Sequence, residues 1–525
     1  MSIDRTYEHR LSGLINRRGG NALQSGLKGV EKESLRVTRG GGISRRAHPI
    51  ALGSALTNPH VTTDFSEALI ELVTPTFEHT WELTQYLCDL HQFVFAQING
   101  ELLWATSMPC AIEGEGSIPI ANYGRSNVGT MKVVYRRGLS HRYGSVMQAI
   151  SGVHFNYSFP EAFWPVFAEL LQSREAGQAF QSRAYFALLR NYRRLGWLVL
   201  YLFGNSPALC ESFLCGRKVE WLEELVPGTV YSRYGTTLRM SDLGYTNRSQ
   251  AGLDVSLNDL DHYVRDLERA ISTPHPAYQK IGVKVDGEYR QLNANLLQIE
   301  NEYYSFIRPK RVIRPGERPT CALKRGGVQY VEMRSLDVSV FDPVGVNQNT
   351  LRFLEAFAAF CVLRESPPMS FAEQQQHDAN SALVAKQGRR PGLRLWRDGR
   401  DVPLMDWALE ILDSMKGVCE VLDDGDPQKP YAASLALQID KARDAALTPS
   451  AQTLEEMRVS GESFFNFALR MSRQHKEYFL ELQSPNPRRQ DQFAAEAAES
   501  LRQQSAIEAS DTLDFDEYLA RYFAN

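Results

Sequence analysis

The sequence predicts an α+β protein: a sheet-rich centre surrounded by helices, then a helical C-terminal third. Three observations predict it. Strand-like segments with acid-bearing faces recur between residues 27 and 337. Long helical patterns with aromatic cores interrupt them at 161–203. From about residue 350, β-branched residues give way to Ala, Leu, Glu, Gln and Arg, which favour helix. The expected division is a sheet-centred region with flanking helices over 1–360 and a mostly helical region over 361–525, packed together as one unit.

In chain order, residues 6–25 carry charges with spaced apolar positions, an amphipathic helix pattern. A strand follows at 27–37, and residues 39–46 hold three consecutive glycines, a surface connector. Residues 64–73 place apolar groups at helical spacing, and 110–129 are rich in Gly, Ser, Asn and Pro, a long loop. Residues 151–160 alternate as a strand does. Strand-like segments return at 229–240, 280–299 and 327–337. A Ser-Pro-Asn-Pro sequence at 484–487 breaks the C-terminal helices, and the last forty residues read as a charged surface helix.

The 525 residues are 43% hydrophobic and 23% charged, with 58 Lys+Arg against 62 Asp+Glu and a formal charge of -4. Without a basic excess, neither nucleic acid nor an anionic membrane is an expected partner. The apolar stretch 195–203 is too short for a span of about 20 helical residues. Seven cysteines, at 88, 110, 210, 215, 321, 361 and 419, are odd in number and scattered, so no disulfide framework is expected. Cys210 and Cys215 read as core residues, and the location as cytoplasmic. HExxH, zinc spacing, GxSxG and a dinucleotide fingerprint are absent. Residues 124–130 read GRSNVGT, with Thr130 where a P-loop needs Lys.

The chemistry-bearing pattern is a set of carboxylates. In GVEKESLRV, strand alternation puts Glu31 and Glu33 on one face and Lys32 on the other. Two solvated glutamates would explain that pair alone. Asp64, Glu67 and Glu71 fall at i, i+3 and i+7, one side of the expected helix, beside Leu69, Ile70, Leu72 and Val73. In SGVHFNY, His154 and Asn156 share a face opposite Phe155 and Tyr157; in YVEMRSL, Glu332 and Arg334 share one. Hard oxygen donors favour Mg²⁺ or Mn²⁺ over zinc, and acids with a guanidinium beside them suit phosphate chemistry.

The segments GVEKESLRV, HPIALGSALTNPHVTTDFSEALIELVTP, NYGRSNVGTMKVVYRRGLSHRYGSVMQAISGVHFNYSFP, LRMSDLGYTNRSQ, LLQIENEYYSFIRPKR and GGVQYVEMRSLD resemble the bacterial glutamate–cysteine ligase family. The resemblance is dense from about residue 26 to 345 and thins in the C-terminal third. It implies a glutamine-synthetase-like antiparallel sheet curved into a funnel. It also implies ATP-dependent joining of L-glutamate to L-cysteine, with ATP as co-substrate and two or three Mg²⁺ or Mn²⁺ ions. The family's metal ligands fall on Glu31, Glu33, Asp64, Glu71, His154 and Glu332, with Glu33, Asp64 and Glu71 grouped on one ion and Glu31, His154 and Glu332 on another. Its phosphate-facing arginine falls on Arg334. Arg136 is a second candidate for that work, and Arg239 one for a substrate carboxylate. The cysteine pocket maps onto Phe65, Tyr135, Tyr245 and Tyr304, with Gln148 alongside. A monomer is the favoured expectation.

Overall fold

The computed structural model describes residues 5–16, 22–244, 252–482 and 486–524. Its centre is a seven-stranded antiparallel sheet. The strands are β1 (Leu27–Val37), β2 (Val61–Thr63), β3 (Leu69–Val73), β4 (Leu102–Leu103), β5 (Gly152–Ser158), β6 (Ile307–Lys310) and β7 (Tyr330–Asp337). They lie in the order β6-β7-β5-β1-β3-β2, with β4 pairing the far end of β1. The register sets Glu31 opposite His154, Glu33 opposite Glu71 and Glu332 opposite Asn156. Because paired residues share a face, that register puts all six on one side of the sheet.

The other side is mostly apolar, with the buried cations of β1 set into it. Val30, Ile70, Leu72, Phe155, Tyr157, Val331 and Met333 belong to one buried core. Helices α1 (Arg5–Asn16), α2 (Thr80–Gln97), α3 (Asn127–Tyr143), α4 (Phe163–Leu170), α5 (Gly177–Leu195) and α6 (Trp197–Phe203) come from the first half of the chain. After the sheet come α7 (Gln348–Leu363), α8 (Phe371–Gln387), α9 (Leu404–Ser414), α10 (Lys416–Leu422), α11 (Pro430–Arg443), α12 (Pro449–Ser460), α13 (Phe464–Glu481), α14 (Pro487–Ser510) and α15 (Phe515–Ala524). Helix α7 is buried almost throughout and packs on α5 and α11. It runs through the expected boundary at residue 360, so the two regions share a helix. A second core gathers Leu35, Phe65, Leu69, Trp104 and Phe467 at the other end of β1.

Several expectations need correction. Residues 64–73 form no helix: β2 and β3 are an antiparallel hairpin with Thr62 opposite Glu71. One face of β3 is buried and the other, with Glu71 between Leu69 and Val73, half-buried and mostly apolar, so its near-continuous apolar run mimics helical spacing. Glu67 sits in the hairpin turn, where its carboxylate accepts from the backbone N–H groups of His48 and Asn122. Of 280–299, only Lys284–Val285 and Glu288–Tyr289 are strands. A hairpin, Arg394–Arg397 with Arg400–Pro403, interrupts the helical C-terminal region. Cys110 and Cys210 form a disulfide with Cα atoms 5.4 Å apart, although their sequence separation of 100 gives no spacing signal. Cys215 is exposed, not core. No helix among the described residues is long and apolar enough to cross a membrane.

Candidate active site

The polar face of the sheet gathers what the sequence scattered. His154 lies at its centre: Nδ1 is 3.2 Å from Glu31 Oε2 and 3.7 Å from Glu332 Oε1, and Nε2 is 3.7 Å from Glu33 Oε1. Asn156 donates to Glu31 Oε1 at 2.9 Å, and Glu33 Oε2 accepts from the Gly152 N–H at 2.6 Å. One donor atom each from Glu31, Glu71 and His154 lies within 4.8 Å of the others. That trio cuts across the grouping implied by resemblance, which separated Glu71 from Glu31 and His154.

The electrostatics show acids crowded at one end and offset at the other. Burial, then the Asp64 charge, pushes Glu33 up to about 8. Burial and then Glu31, Asp64 and Glu33 push Glu71 well above the carboxylate range. Burial also works against ionised Glu31, but the His154 hydrogen bond carries it below its usual value. Glu332 lies well below: burial opposes its charge, and Lys310, 3.4 Å away, Arg334 and His154 outweigh it. Burial and Arg334 hold His154 down, leaving the neutral imidazole a metal ligand needs. Buried oxygen donors with one imidazole, short of positive charge at Glu33 and Glu71, fit hard divalent cations.

Arg334 NH1 donates to Glu332 Oε1 at 2.9 Å. Arg239, buried, packs against Gly152 and donates to the Arg334 carbonyl at 3.0 Å, with Asp337 3.9 Å away. It therefore braces the strand that carries Arg334 and offers little surface to a substrate carboxylate.

The glutamate–cysteine ligase family model matches residues 11–384. The glutamate–cysteine ligase of Alcanivorax borkumensis is 47% identical over 98% of this chain and 99% of its own, and that of Pseudomonas aeruginosa 49% identical over 95% and 94%. The chain belongs to the glutamate–cysteine ligase family. A crystal structure of the Francisella tularensis glutamate–cysteine ligase in complex with AMP superposes with a TM-score of 0.90 at 36% identity, covering 95% of this chain and 98% of that one. The bifunctional glutathione synthetase of Pasteurella multocida shares the fold, with a TM-score of 0.72 at 22% identity, and this chain covers 55% of it.

For a ligase of this family, the aromatic positions matter next. Gln148 donates to the Tyr304 hydroxyl at 3.2 Å, and Tyr304 lies in the fields of Asp64 and Arg334. Tyr135 on α3 lies in the fields of Glu302, Tyr304 and Arg136. Phe65 is fully buried in the second core, so it backs this cluster from within. Tyr245 lies outside the described residues. Sequence reasoning missed Lys310, whose strand β6 is only four residues long, and Arg308 beside it, which is buried and opposite Glu332 in the register. The basic run IRPKR was their one visible signal.

Proposed function

We propose that this glutamate–cysteine ligase joins the γ-carboxylate of L-glutamate to the amine of L-cysteine through an acyl phosphate. The observation that carries the proposal is one sheet face holding Glu31, Glu33, Glu71, Glu332 and His154, with Arg334 and Lys310 at the Glu332 end. A γ-carboxylate oxygen attacks the terminal phosphorus of ATP, the bond from that phosphorus to the bridging oxygen breaks, and ADP leaves. The cysteine amine then attacks the acyl carbon, the carbon–oxygen bond to phosphate breaks, and one amine proton is released. Both steps concentrate negative charge on clustered oxygens.

The chain's residues prepare that environment. Arg334 presents a planar fork to the phosphoryl oxygens, and Glu332 fixes its orientation. Neutral His154 and Asn156 hold the Glu31 carboxylate in place. When bound by Glu31, Glu33, Asp64, Glu71, His154 and Glu332, two or three Mg²⁺ or Mn²⁺ ions supply charge neutralisation for phosphate and carboxylate oxygens. Tyr135, Tyr304 and Gln148 line the side-chain pocket of the acceptor, which recognises a small thiol by shape; the family resemblance adds Tyr245 to them. 2-Aminobutyrate is then a usable substitute, within roughly 10–200-fold of cysteine.

The test is product formation by the purified chain with ATP, glutamate and cysteine. The proposal requires stoichiometric γ-glutamylcysteine and ADP. Hydroxylamine in place of cysteine should trap the activated glutamate as a γ-glutamyl hydroxamate. Product formation without any hydroxamate would remove the acyl phosphate step; ADP release that ignores glutamate would remove the whole reading.

A further inference from the structure

Helix α15 takes no part in the chemistry above, yet its place in the fold is specific. It is ten residues long, too short to hold its form alone in water, so docking maintains it. Phe515, Tyr518, Leu519, Tyr522 and Phe523 recur at i, i+3, i+4, i+7 and i+8, one apolar face. That face forms a small core with Met131 and Val134 of α3 and with Leu292, and Tyr135, Tyr289 and Ile299 pack against it. Asp516 ties the helix down, accepting from Lys284 Nζ at 3.1 Å and from the Tyr289 hydroxyl. The chain just before α15 grips the start of α3. The Arg125 N–H donates to Glu508 at 2.9 Å, the Asn127 N–H donates to Asp511, and Asn127 Nδ2 donates to the Leu513 carbonyl at 3.0 Å. Two acids therefore serve backbone donors at a helix N-terminus, where negative charge is favoured.

We infer that α15 is a positioning element for the acceptor side of the reaction, with Leu519 the residue that sets Tyr135. The inference rests on the ligase reading above and deepens it. The pocket's tyrosines come from different segments, Tyr135 from α3 and Tyr304 from the chain just after Ile299. Buried Leu519 shares one cluster with Met131 and Val134 on the first and with Leu292 on the second, so α15 is wedged between the two. Tyr135 also packs against the second core, which holds Phe65. It is thus held from two sides, and α15 supplies one of them. The next residue, Arg136, donates Nε to the Asp64 carbonyl, which ties α3 to the sheet independently of α15. Losing the α15 contact therefore frees the Tyr135 side and leaves the helix in place. Strands β6 and β7, which carry Arg308, Lys310, Glu332 and Arg334, contribute no described residue to the α15 core. A defect at Leu519 should accordingly reach the acceptor and spare the phosphoryl end.

The experiment compares Leu519→Ala and Leu519→Met with the parent enzyme, varying ATP, glutamate and cysteine in turn. Leu519→Ala should raise KM for cysteine by about tenfold, inside the roughly hundredfold loss that a misplacement of about 1 Å can cause. KM for ATP and glutamate, and kcat, should stay within about threefold of the parent. 2-Aminobutyrate should lose as much as cysteine, because shape and not the thiol is disturbed. Leu519→Met keeps the volume and should recover most of the loss. The two large cores contain no residue of α15, so the melting temperature should show each variant folded. Asp511→Ala releases the grip at the start of α3 without touching the Leu519 cluster, and should act in the same direction more weakly, with Asp511→Asn restoring the acceptor oxygen. If Leu519→Ala does not fold, the Asp511 pair decides by the same criteria. Equal rises in all three KM values overturn the inference, as does a fall in kcat alone or a parental KM for cysteine in both alanine variants. A parent enzyme that forms no product with cysteine fails the ligase reading instead, so the two failures are separate.

Discussion

Strand β1 has two faces that treat charge in opposite ways. Its even positions send Lys28, Lys32 and Arg36 into the core side, and its odd positions send Glu31 and Glu33 to the open side. On the core side Lys28 meets Glu355 at 2.8 Å, with Tyr431 donating to the same carboxylate at 2.6 Å, and Arg36 meets Glu101 at 2.9 Å. Lys32 pairs with no carboxylate among the described residues; Ser34 and His91 solvate it, and burial pushes it down to about 7. On the open side, Glu33 and Glu71 are pushed up by burial and by the carboxylates around them. The core side is thus nearly neutralised by the chain itself, while on the open side only the Glu332 end is, and Glu33 and Glu71 are left to be neutralised by what binds. Stability should therefore depend on one face and turnover on the other.

The largest expected effect tests the open face. Arg334→Lys keeps the charge and loses the fork, so kcat should fall about a thousandfold with the melting temperature unchanged. Steady-state rates at saturating substrates check this. Near-parental turnover would reduce Arg334 to an ion-pair partner of Glu332.

Next is the core face. Lys28→Met leaves the Glu355 carboxylate buried without its cation, which should lower the unfolding free energy by about 3–5 kcal/mol. Denaturant titration measures it, and kcat per folded molecule should hold. Replacing both partners with apolar groups, Lys28→Met with Glu355→Leu, should recover much of the loss. A Lys28→Met enzyme that is stable but inactive would show that the two faces are not separable.

Those faces were legible in the sequence where a strand has one polar side. β1, β5 and β7 alternate, so the shared faces of Glu31 with Glu33, His154 with Asn156, and Glu332 with Arg334 follow from period two alone. The hairpin was misread because β3 is mostly apolar on both sides, so period two is blurred there. Asp64 and Glu71 still reach the site, but through the turn at Ser66–Leu69 and not through a helical stripe. The Cys110–Cys210 bond and the Lys310–Glu332 pair join separate elements of the chain, and no local pattern encodes such contacts. The family resemblance supplied site membership, and the register supplied the reason for it.

Cation binding sharpens the comparison at a smaller scale. A divalent ion that binds only the folded chain adds about 2.7 kcal/mol at a hundredfold excess over its Kd. Titrating Mg²⁺ or Mn²⁺ against the melting temperature should stabilise the parent. Glu71→Gln removes one ligand, so its curve should shift to higher cation concentration. Lys28→Met, on the other face, should keep the parental response in spite of its lower starting stability. An identical cation response in the parent and Glu71→Gln would take Glu71 out of the ligand set.

The smallest expected effect belongs to the histidines beneath Lys32. His475 on α13 is buried, and burial and then the Lys32 charge push it down to about 4, against the raising effect of a hydrogen bond to the Val340 backbone. His91 stacks on Phe479 with ring centres 5.0 Å apart and is likewise held neutral. Because the folded-state pKa of His475 lies below its unfolded value near 6.5, the unfolded chain binds more protons between those values. Its contribution is thus fully present above about pH 6.5 and is lost as pH falls towards 4. A tenfold change in proton affinity corresponds to about 1.4 kcal/mol, so His475 alone accounts for roughly 2–3 kcal/mol of acid destabilisation. His475→Gln cannot take up that proton, and its stability should fall less steeply than the parent's over this window. Since the group lies on the core face, the steady-state KM values for all three substrates at about pH 7.5, well above the window in which it titrates, should not move with it. Parallel pH slopes for parent and variant would place the acid sensitivity elsewhere, with the crowded acids of the open face the next to be tested.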